Sequence, residues 1–452
     1  MKYEGHFLLW YLILMPFAKL GFPYITTNII SWIIVSISVL LILKRAPFKF
    51  YKRILLISSF PFLYLFPIIS RCYCLIPLAV TLMCIFYKDR KQKPFRYLIS
   101  IVILVNTHIV MLGMSGIVLL DYILELISNW KVLLKNEKKV AIISLTICII
   151  LLIVSILPLI GCLTTNQDIL YNNNNILTKT FNAIVFMPLS IIKQLYSLYI
   201  TNQIIINVIL LSTTFLIFCG IKNCLLDTLK IWLCILWQCA IYSFIYSLSP
   251  QRSATVIFIL LYFIWTNKYK KQKPATSFDN NIANICCIIL ISLSVIQGLL
   301  TIVSYEIKYN YSNAYKVGNY INNNIDNDSI ILNGSRVEYA SSIIPYVNKD
   351  IKFYHIEGDR YFSYAIWDSQ NKAKLCIKHI ENLANIFDKD QKLYYIHCTG
   401  KSKVIKDIST ISENNLIDEL IKKGAFKQIF YTDNTSLCSE DYIMYEVILE
   451  NL

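Results

Sequence analysis

Long apolar runs separated by short basic loops are the feature that most constrains this chain. A mean hydropathy of +0.53, with 56% hydrophobic and only 16% charged residues, leaves too little polar material to cover a soluble protein of this size. We therefore predict a polytopic α-helical membrane protein with about ten spans. The predicted spans are residues 26–43, 54–70, 72–87, 97–113, 117–130, 140–162, 203–221, 229–248, 253–265 and 285–305.

The loops between these runs alternate in charge. Most lysines and arginines fall in one set, at residues 44–53, 88–96, 131–139, 222–230 and 268–273. By the positive-inside rule this set is cytoplasmic, which places Glu4, Arg71, Arg252 and everything after Tyr305 outside. The net charge of +15 is thus explained by topology, and nucleic-acid binding is excluded.

The first apolar segment, residues 7–24, does not fit as a span, because it would move the basic loop at 44–53 to the outside. We interpret it as an amphipathic or re-entrant helix at the outer surface. Three regions follow: an outer-face loop with a surface helix (1–25), a transmembrane domain (26–305) and an extracytoplasmic α/β domain (306–452).

Strands alternate with helices in the last region, as in a small α/β domain that ends in an antiparallel hairpin. The predicted strands are residues 329–332, 351–355, 392–397, 426–431 and 442–449, and the predicted helices are residues 312–324, 373–387 and 413–423.

Ionisable residues on the predicted outer face are the first candidates for a site. Glu4, followed by His6, either faces water or serves as a general base, for which burial near lipid would raise its carboxyl pKa modestly. Arg71 and Arg252 lie on the predicted outer face, whereas most lysines and arginines of the chain lie in the predicted cytoplasmic loops. A guanidinium grips phosphate bidentately, although snorkelling at the interface is an equal alternative.

Other polar residues carry weaker signals. Asp121 and Glu125 share a helix face and, with His108, could form a proton relay, but we favour a structural polar face. Asp168 is a lone loop carboxylate, and Asp359, Arg360 and His397 form no recognisable set. Most cysteines lie in apolar runs as packing residues, Cys72 and Cys74 form an isolated C-x-C, and no zinc-type spacing occurs.

Several of these residues resemble the C-type (GT-C) integral-membrane glycosyltransferase superfamily. The chain is similar to bacterial members of its protein mannosyltransferase-like and aminoarabinose transferase-like branch. The likeness lies in Glu4-Gly5-His6, Leu9-Trp10-Tyr11, Phe17-Ala18-Lys19-Leu20-Gly21-Phe22-Pro23-Tyr24, Arg71-x-Tyr73 and the multi-span layout, and it extends to Ser312-Asn313-Ala314 at the start of the C-terminal domain.

The resemblance implies transfer of a sugar from a polyprenyl-phosphate donor to a lipid, polysaccharide or protein acceptor of the cell envelope, on the extracytoplasmic face of a bacterial cytoplasmic membrane. Glu4 would be the base, with inversion at the anomeric carbon. Arg71 and Arg252 would hold the phosphate, and His6 and Tyr73 would line the substrate site. The cofactor is unknown: a divalent metal stays open, but no clear ligand set is present.

Two departures from that family accompany the likeness. Its members carry an Asp-Glu pair where this chain has Tyr3-Glu4, and a proline in place of Phe7. They also begin with a transmembrane helix before the acidic loop. Three alternatives follow: a start upstream of Met1, a Glu4 held outside without that helix, or an inactive scaffold. A transporter or flippase built on Asp121, Glu125 and His108 is the other functional class.

Overall fold

The computed structural model describes most of the chain in two units. The described residues are 7–163, 176–196, 204, 208, 209, 212, 213, 225–245, 248–270, 277–308, 310–334, 337–364, 375–399, 411–433 and 440–452. The units are Met1–Thr301 and Ile302–Leu452, so the division falls four residues before the predicted boundary at 305/306.

The first unit is helical throughout its described residues. Its helices are α1 Leu9–Lys19, α2 Ile25–Arg45, α3 Phe50–Ile57, α4 Phe66–Ile68, α5 Leu75–Phe86, α6 Pro94–Val105, α7 Leu112–Ser128, α8 Lys135–Leu163, α9 Ile176–Val185, α10 Met187–Tyr196, α11 Leu225–Phe244, α12 Pro250–Ser253, α13 Thr255–Asn267 and α14 Ser277–Ile302. A π-helical turn, Pro61–Leu65, separates α3 from α4.

Five helices of the described residues are long and apolar enough to cross a membrane: Ile25–Arg45, Ile109–Ser128, Lys135–Leu157, Leu225–Phe244 and Asn284–Ile302. A sixth span results if α9 and α10, which meet at a 52° bend, are counted as one. The length and composition of these helices indicate a membrane protein, but the predicted number of ten spans is not confirmed. The predicted span at 203–221 lies mostly outside the described residues.

The other predicted spans are short or broken in the structure. Helices α5 and α6 have 12 residues each and α13 has 13, which is about 18–20 Å against a hydrocarbon core of about 30 Å. The segment 54–70 is divided by the π-helical turn, because Pro61 and Pro67 interrupt the regular backbone hydrogen bonding.

Helix α2 buries small polar side chains and exposes large apolar ones, the opposite of a helix in a soluble protein. Its buried side includes Ser31, Val35 and Ser38. Ser31 Oγ donates to the Phe66 carbonyl at 2.9 Å, and the Ser38 and Thr81 hydroxyls are 3.1 Å apart. Large apolar side chains such as Trp32 point outward. Small polar residues that bond between helices, with apolar residues outside, are typical of packing in lipid.

The segment predicted as a surface helix forms α1, which spans 11 residues and contains Pro16. Its length of about 16 Å is too short to cross a bilayer. Gly21 ends it at φ +73°, a left-handed conformation that suits glycine, before α2 begins. The interfacial position of α1 stays a prediction.

The second unit is built on one six-stranded sheet, with strands β1 Ile330–Asn333, β2 Lys352–His355, β3 Arg360–Phe362, β4 Leu393–Cys398, β5 Phe426–Tyr431 and β6 Tyr442–Val447. The strand order is β3-β2-β1-β4-β6-β5. Strand β1 pairs in parallel with β2 and β4, and the other neighbours are antiparallel. The helices are α15 Ala314–Asn324, α16 Val337–Ser341, α17 Ile377–Glu381, α18 Leu383–Ile386 and α19 Ile411–Lys422.

Alternating side chains of the sheet enter two cores. Ile330 and Leu332 join the core that includes Leu383 of α18, whereas Ile331 and Phe353 join the core that includes Val317 of α15. The five predicted strands and the final antiparallel hairpin are confirmed to within two residues. The predicted helix 373–387 is wrong as one element, because α17 and α18 are separate short helices. Strand β3 was not predicted, since three residues are too few for an alternating pattern.

Candidate functional site

Three helix ends of the first unit meet around Tyr73. This residue lies in a 3-10 turn, Cys72–Cys74, just before α5 and is 2% exposed. The Arg252 Nε donates to the Tyr73 hydroxyl at 3.3 Å, and the Tyr73 ring stacks on the His108 ring with centroids 4.8 Å apart. The chain separations of 35 and 179 residues show that tertiary packing alone forms this group.

The backbone of Arg252 is held from two directions. Its carbonyl accepts from the Tyr242 hydroxyl at 2.9 Å and from the Thr255 hydroxyl at 2.6 Å. Thr255 also accepts from the Gln238 amide at 2.9 Å. Helix α11, which carries Tyr242 and Gln238, therefore positions the start of α13 and with it the guanidinium.

His108 has a defined orientation because it caps the turn Ile109–Met111. The Val110 N–H donates to His108 Nδ1 at 3.2 Å, so in the neutral ring the proton lies on Nε2. The ring is 1% exposed. We name Arg71, Tyr73, His108 and Arg252 the arginine end of the unit; Arg71 itself is exposed, directly before the turn that carries Tyr73.

The described chain begins beside this end. Phe7 is 1% exposed and packs with Val105, Ile109 and Leu112, and Ile109 follows His108 directly. Of the predicted site residues, Tyr73 and Arg252 are in contact and Arg71 is two positions away. Glu4 and His6 lie outside the described residues.

Six charged residues form ion pairs at the other ends of the same helices. Arg90 binds both carboxylate oxygens of Glu125 at 2.8 Å, Lys230 is 2.5 Å from Asp121, and Lys270 contacts both oxygens of Asp227 at 2.6 and 2.8 Å. We name this group the ion-pair end. Helices α5, α7 and α13 each run from the arginine end to the ion-pair end. The basic residues at 88–96 and at 268–270 therefore lie at the same end of these helices, as the charge pattern predicts.

The relay envisaged for Asp121, Glu125 and His108 is not formed. His108 precedes Asp121 by thirteen residues of mostly helical chain, about 20 Å, and the two carboxylates contact Lys230 and Arg90 instead. The structural polar face that the sequence favoured describes them better. His108 belongs to the arginine end, and the only sequence signal for it was the polar break Asn106-Thr107-His108 between two apolar runs.

The remaining candidates divide between the units. Asp168 lies outside the described residues. Asp359 accepts a hydrogen bond from the Tyr354 hydroxyl, and Arg360 is paired with His355 across β2 and β3, whereas His397 is buried on β4. Within the described part of the chain no three His, Cys, Asp or Glu side chains are grouped to hold a metal.

The cysteines that the structure describes form no disulfides, and most are buried as packing residues. No family model matches the chain, and neither the curated proteins nor the solved structures contain a match.

Proposed function

We propose that the chain is an inverting membrane glycosyltransferase that uses a polyprenyl-phosphate sugar as donor and works on the extracytoplasmic face. The observation that supports this most is the contact between the Arg252 guanidinium and Tyr73, two residues from Arg71, at the end where Phe7 is packed. Two guanidiniums at one end of the helices, Arg71 exposed and Arg252 partly buried, suit a phosphate of a lipid carrier, because they stay charged and donate bidentately.

Glu4 completes the proposed site as general base. It precedes Phe7 by three residues, so covalent geometry limits its Cα to within about 10 Å of the Phe7 Cα. In the reaction Glu4 takes the proton of the acceptor hydroxyl, whose oxygen attacks the anomeric carbon from the face opposite the phosphate. The bond from that carbon to the phosphate oxygen breaks, its electron pair leaves with the polyprenyl phosphate, and Arg71 and Arg252 stabilise the added negative charge.

Binding of polyprenyl phosphate to the purified full chain tests the phosphate site. Arg252→Ala is expected to weaken binding by about 10- to 100-fold, the loss of one charge-assisted contact. Arg96→Ala is the matched control, because Arg96 is an exposed arginine at the start of α6, beside the ion-pair end. Equal affinities of the two variants would contradict the proposed phosphate site.

Transfer in membranes tests the base separately. Glu4→Gln should keep the affinity for polyprenyl phosphate and abolish transfer of a labelled sugar from a polyprenyl-phosphate donor, since the amide cannot accept the proton. Transfer at the wild-type rate would refute the role of Glu4. Binding without transfer in the wild-type chain would favour the inactive scaffold over the enzyme.

A further inference from the structure

The parallel strands of the second unit end in a row of polar side chains. The strand register pairs Asn333 of β1 with His355 of β2, and His355 with Arg360 of β3. Paired residues of neighbouring strands project from the same face of a sheet, here the face of Ile331 and Phe353. In open α/β sheets ligands bind at the carboxyl ends of the parallel strands, and this row occupies that edge.

A tight turn after β2 brings a carboxylate onto the imidazole. Glu357 Oε2 lies 3.2 Å from His355 Nε2, and both side chains are 0% exposed. Gly358 allows this approach, because a Cβ at that position would meet His355 Nδ1 at 2.5 Å and Arg360 Nε at 3.2 Å. The turn closes with Asp359 at φ +44°, held by the Tyr354 hydroxyl.

The buried polar atoms of this group are not satisfied by the protein that the structure describes. Both ring nitrogens of His355, both carboxylate oxygens of Glu357 and the Asn333 Oδ1 have no hydrogen-bond partner there. A buried carboxylate without hydrogen bonds is destabilising, and neither Glu357 oxygen accepts one from the described residues.

The amide of Asn333 lies next to His355 in the strand register. Its Nδ2 donates to the Ile396 carbonyl of β4 at 3.5 Å, on the opposite side of β1 from His355. Its Oδ1 has no hydrogen-bond partner among the described residues, and its residue is the strand-register neighbour of His355. The unpartnered atoms of Asn333, His355 and Glu357 include an imidazole nitrogen, carboxylate oxygens and an amide oxygen, which all present lone pairs.

We propose that His355, Glu357 and Asn333 bind a divalent cation of the zinc or manganese class. Two ligands at about 2.0–2.1 Å from a tetrahedral ion lie about 3.3 Å apart, close to the observed 3.2 Å between Nε2 and Oε2. The same two atoms lie within hydrogen-bonding distance, yet neither forms a hydrogen bond within the described part of the chain. This is the geometry of two ligands that point to a third atom instead of to each other.

The donor set and the burial select the ligand class. Imidazole together with carboxylate and amide oxygens suits zinc and manganese, and the site is closed to solvent, so a bare ion fits it better than an organic molecule. Water would complete the coordination. The site lies in the second unit and does not depend on the proposed glycosyl transfer.

Metal content of the purified full chain tests the proposal. The chain is stripped with EDTA, exposed to zinc or manganese chloride, desalted and measured by elemental analysis and calorimetric titration. We expect about one ion per chain, bound at least about 100-fold more weakly by Glu357→Gln, because loss of a ligand exceeds the cost of losing an outer-shell contact. Glu446→Gln, at an exposed carboxylate of β6, should bind like the wild type.

The wild-type measurement is decisive even if a variant fails to fold. No ion retained, or binding weaker than about 1 mM for both metals, overturns the proposal. Wild-type affinity in a folded Glu357→Gln chain overturns it as well. A second variant, His355→Asn, keeps the test open if Glu357→Gln unfolds, and a metal-dependent rise in the melting temperature should vanish in it.

Discussion

Asp227→Asn is expected to destabilise the first unit, and the reason lies in the ion-pair end. The Asp227 carboxylate is 7% exposed and binds Lys270, whose side chain is 23% exposed, at 2.6 Å. Lys230 Nζ lies 3.9 Å from the same carboxylate but is also bound to Asp121. Removing the negative charge therefore isolates Lys270 more than Lys230.

The magnitude follows from the exposure of the two partners. Breaking a fully buried ion pair by removing one partner costs about 3–5 kcal/mol. Since Lys270 keeps part of its hydration, we expect about 2–3 kcal/mol for Asp227→Asn. Lys270→Met should cost less, because Lys230 still lies close to Asp227 and attracts it by up to about 4 kcal/mol at an effective dielectric constant of 20. The loss of stability in the double variant should be about 2 kcal/mol smaller than the sum of the two single losses.

Unfolding of the purified chain in detergent, followed for the wild type, both single variants and the double variant, measures this cycle. Asp433→Asn breaks an exposed pair with Lys316 and should cause no measurable change. Additive losses in the cycle would refute the structural role of the pair.

Loss of transport by Asp121→Asn, without loss of stability, would favour the relay of a transporter.

Two further predictions concern single positions. Gly113→Ala should lower the stability of the chain by about 1–3 kcal/mol, because the new Cβ would meet Trp237 Cγ at 2.4 Å. Gly116→Ala in the same helix has nothing within 4 Å and should be neutral or stabilising, as melting temperatures in detergent will show; equal losses would contradict the contact. Burial raises the pKa of Tyr445 to about 12, with a smaller contribution from Asp418. The pKa of Tyr445 in the folded chain exceeds the unfolded value of about 10. The free energy of unfolding is therefore fully retained below about pH 10 and falls as the pH rises towards 12. In a pH series of unfolding midpoints, Tyr445→Phe should show a smaller fall above pH 10 than the wild type. The same pH profile in both chains would contradict the contribution of Tyr445.

The membrane class and the strands of the second unit were determined by the sequence itself. Both follow from local patterns: uninterrupted apolar runs exclude a soluble fold, and short β-branched and aromatic runs between turn residues favour strands. The placement of Arg71 and Arg252 on the outer face follows from loop charges alone and stays a prediction. Local patterns did not reveal that prolines divide the segment 54–70, or that α5, α6 and α13 are shorter than a bilayer.

Only the tertiary structure decided which side chains meet. Tyr73, His108 and Arg252 come from three separate helix ends, and Asp227 and Lys270 are joined over 43 residues of chain. In the second unit, the parallel register of β1 and β2 and the close turn at Gly358 bring Asn333, His355 and Glu357 together. Hydrophobic periodicity fixes where a helix or strand forms, but contacts between distant side chains depend on packing in three dimensions, which no local pattern encodes.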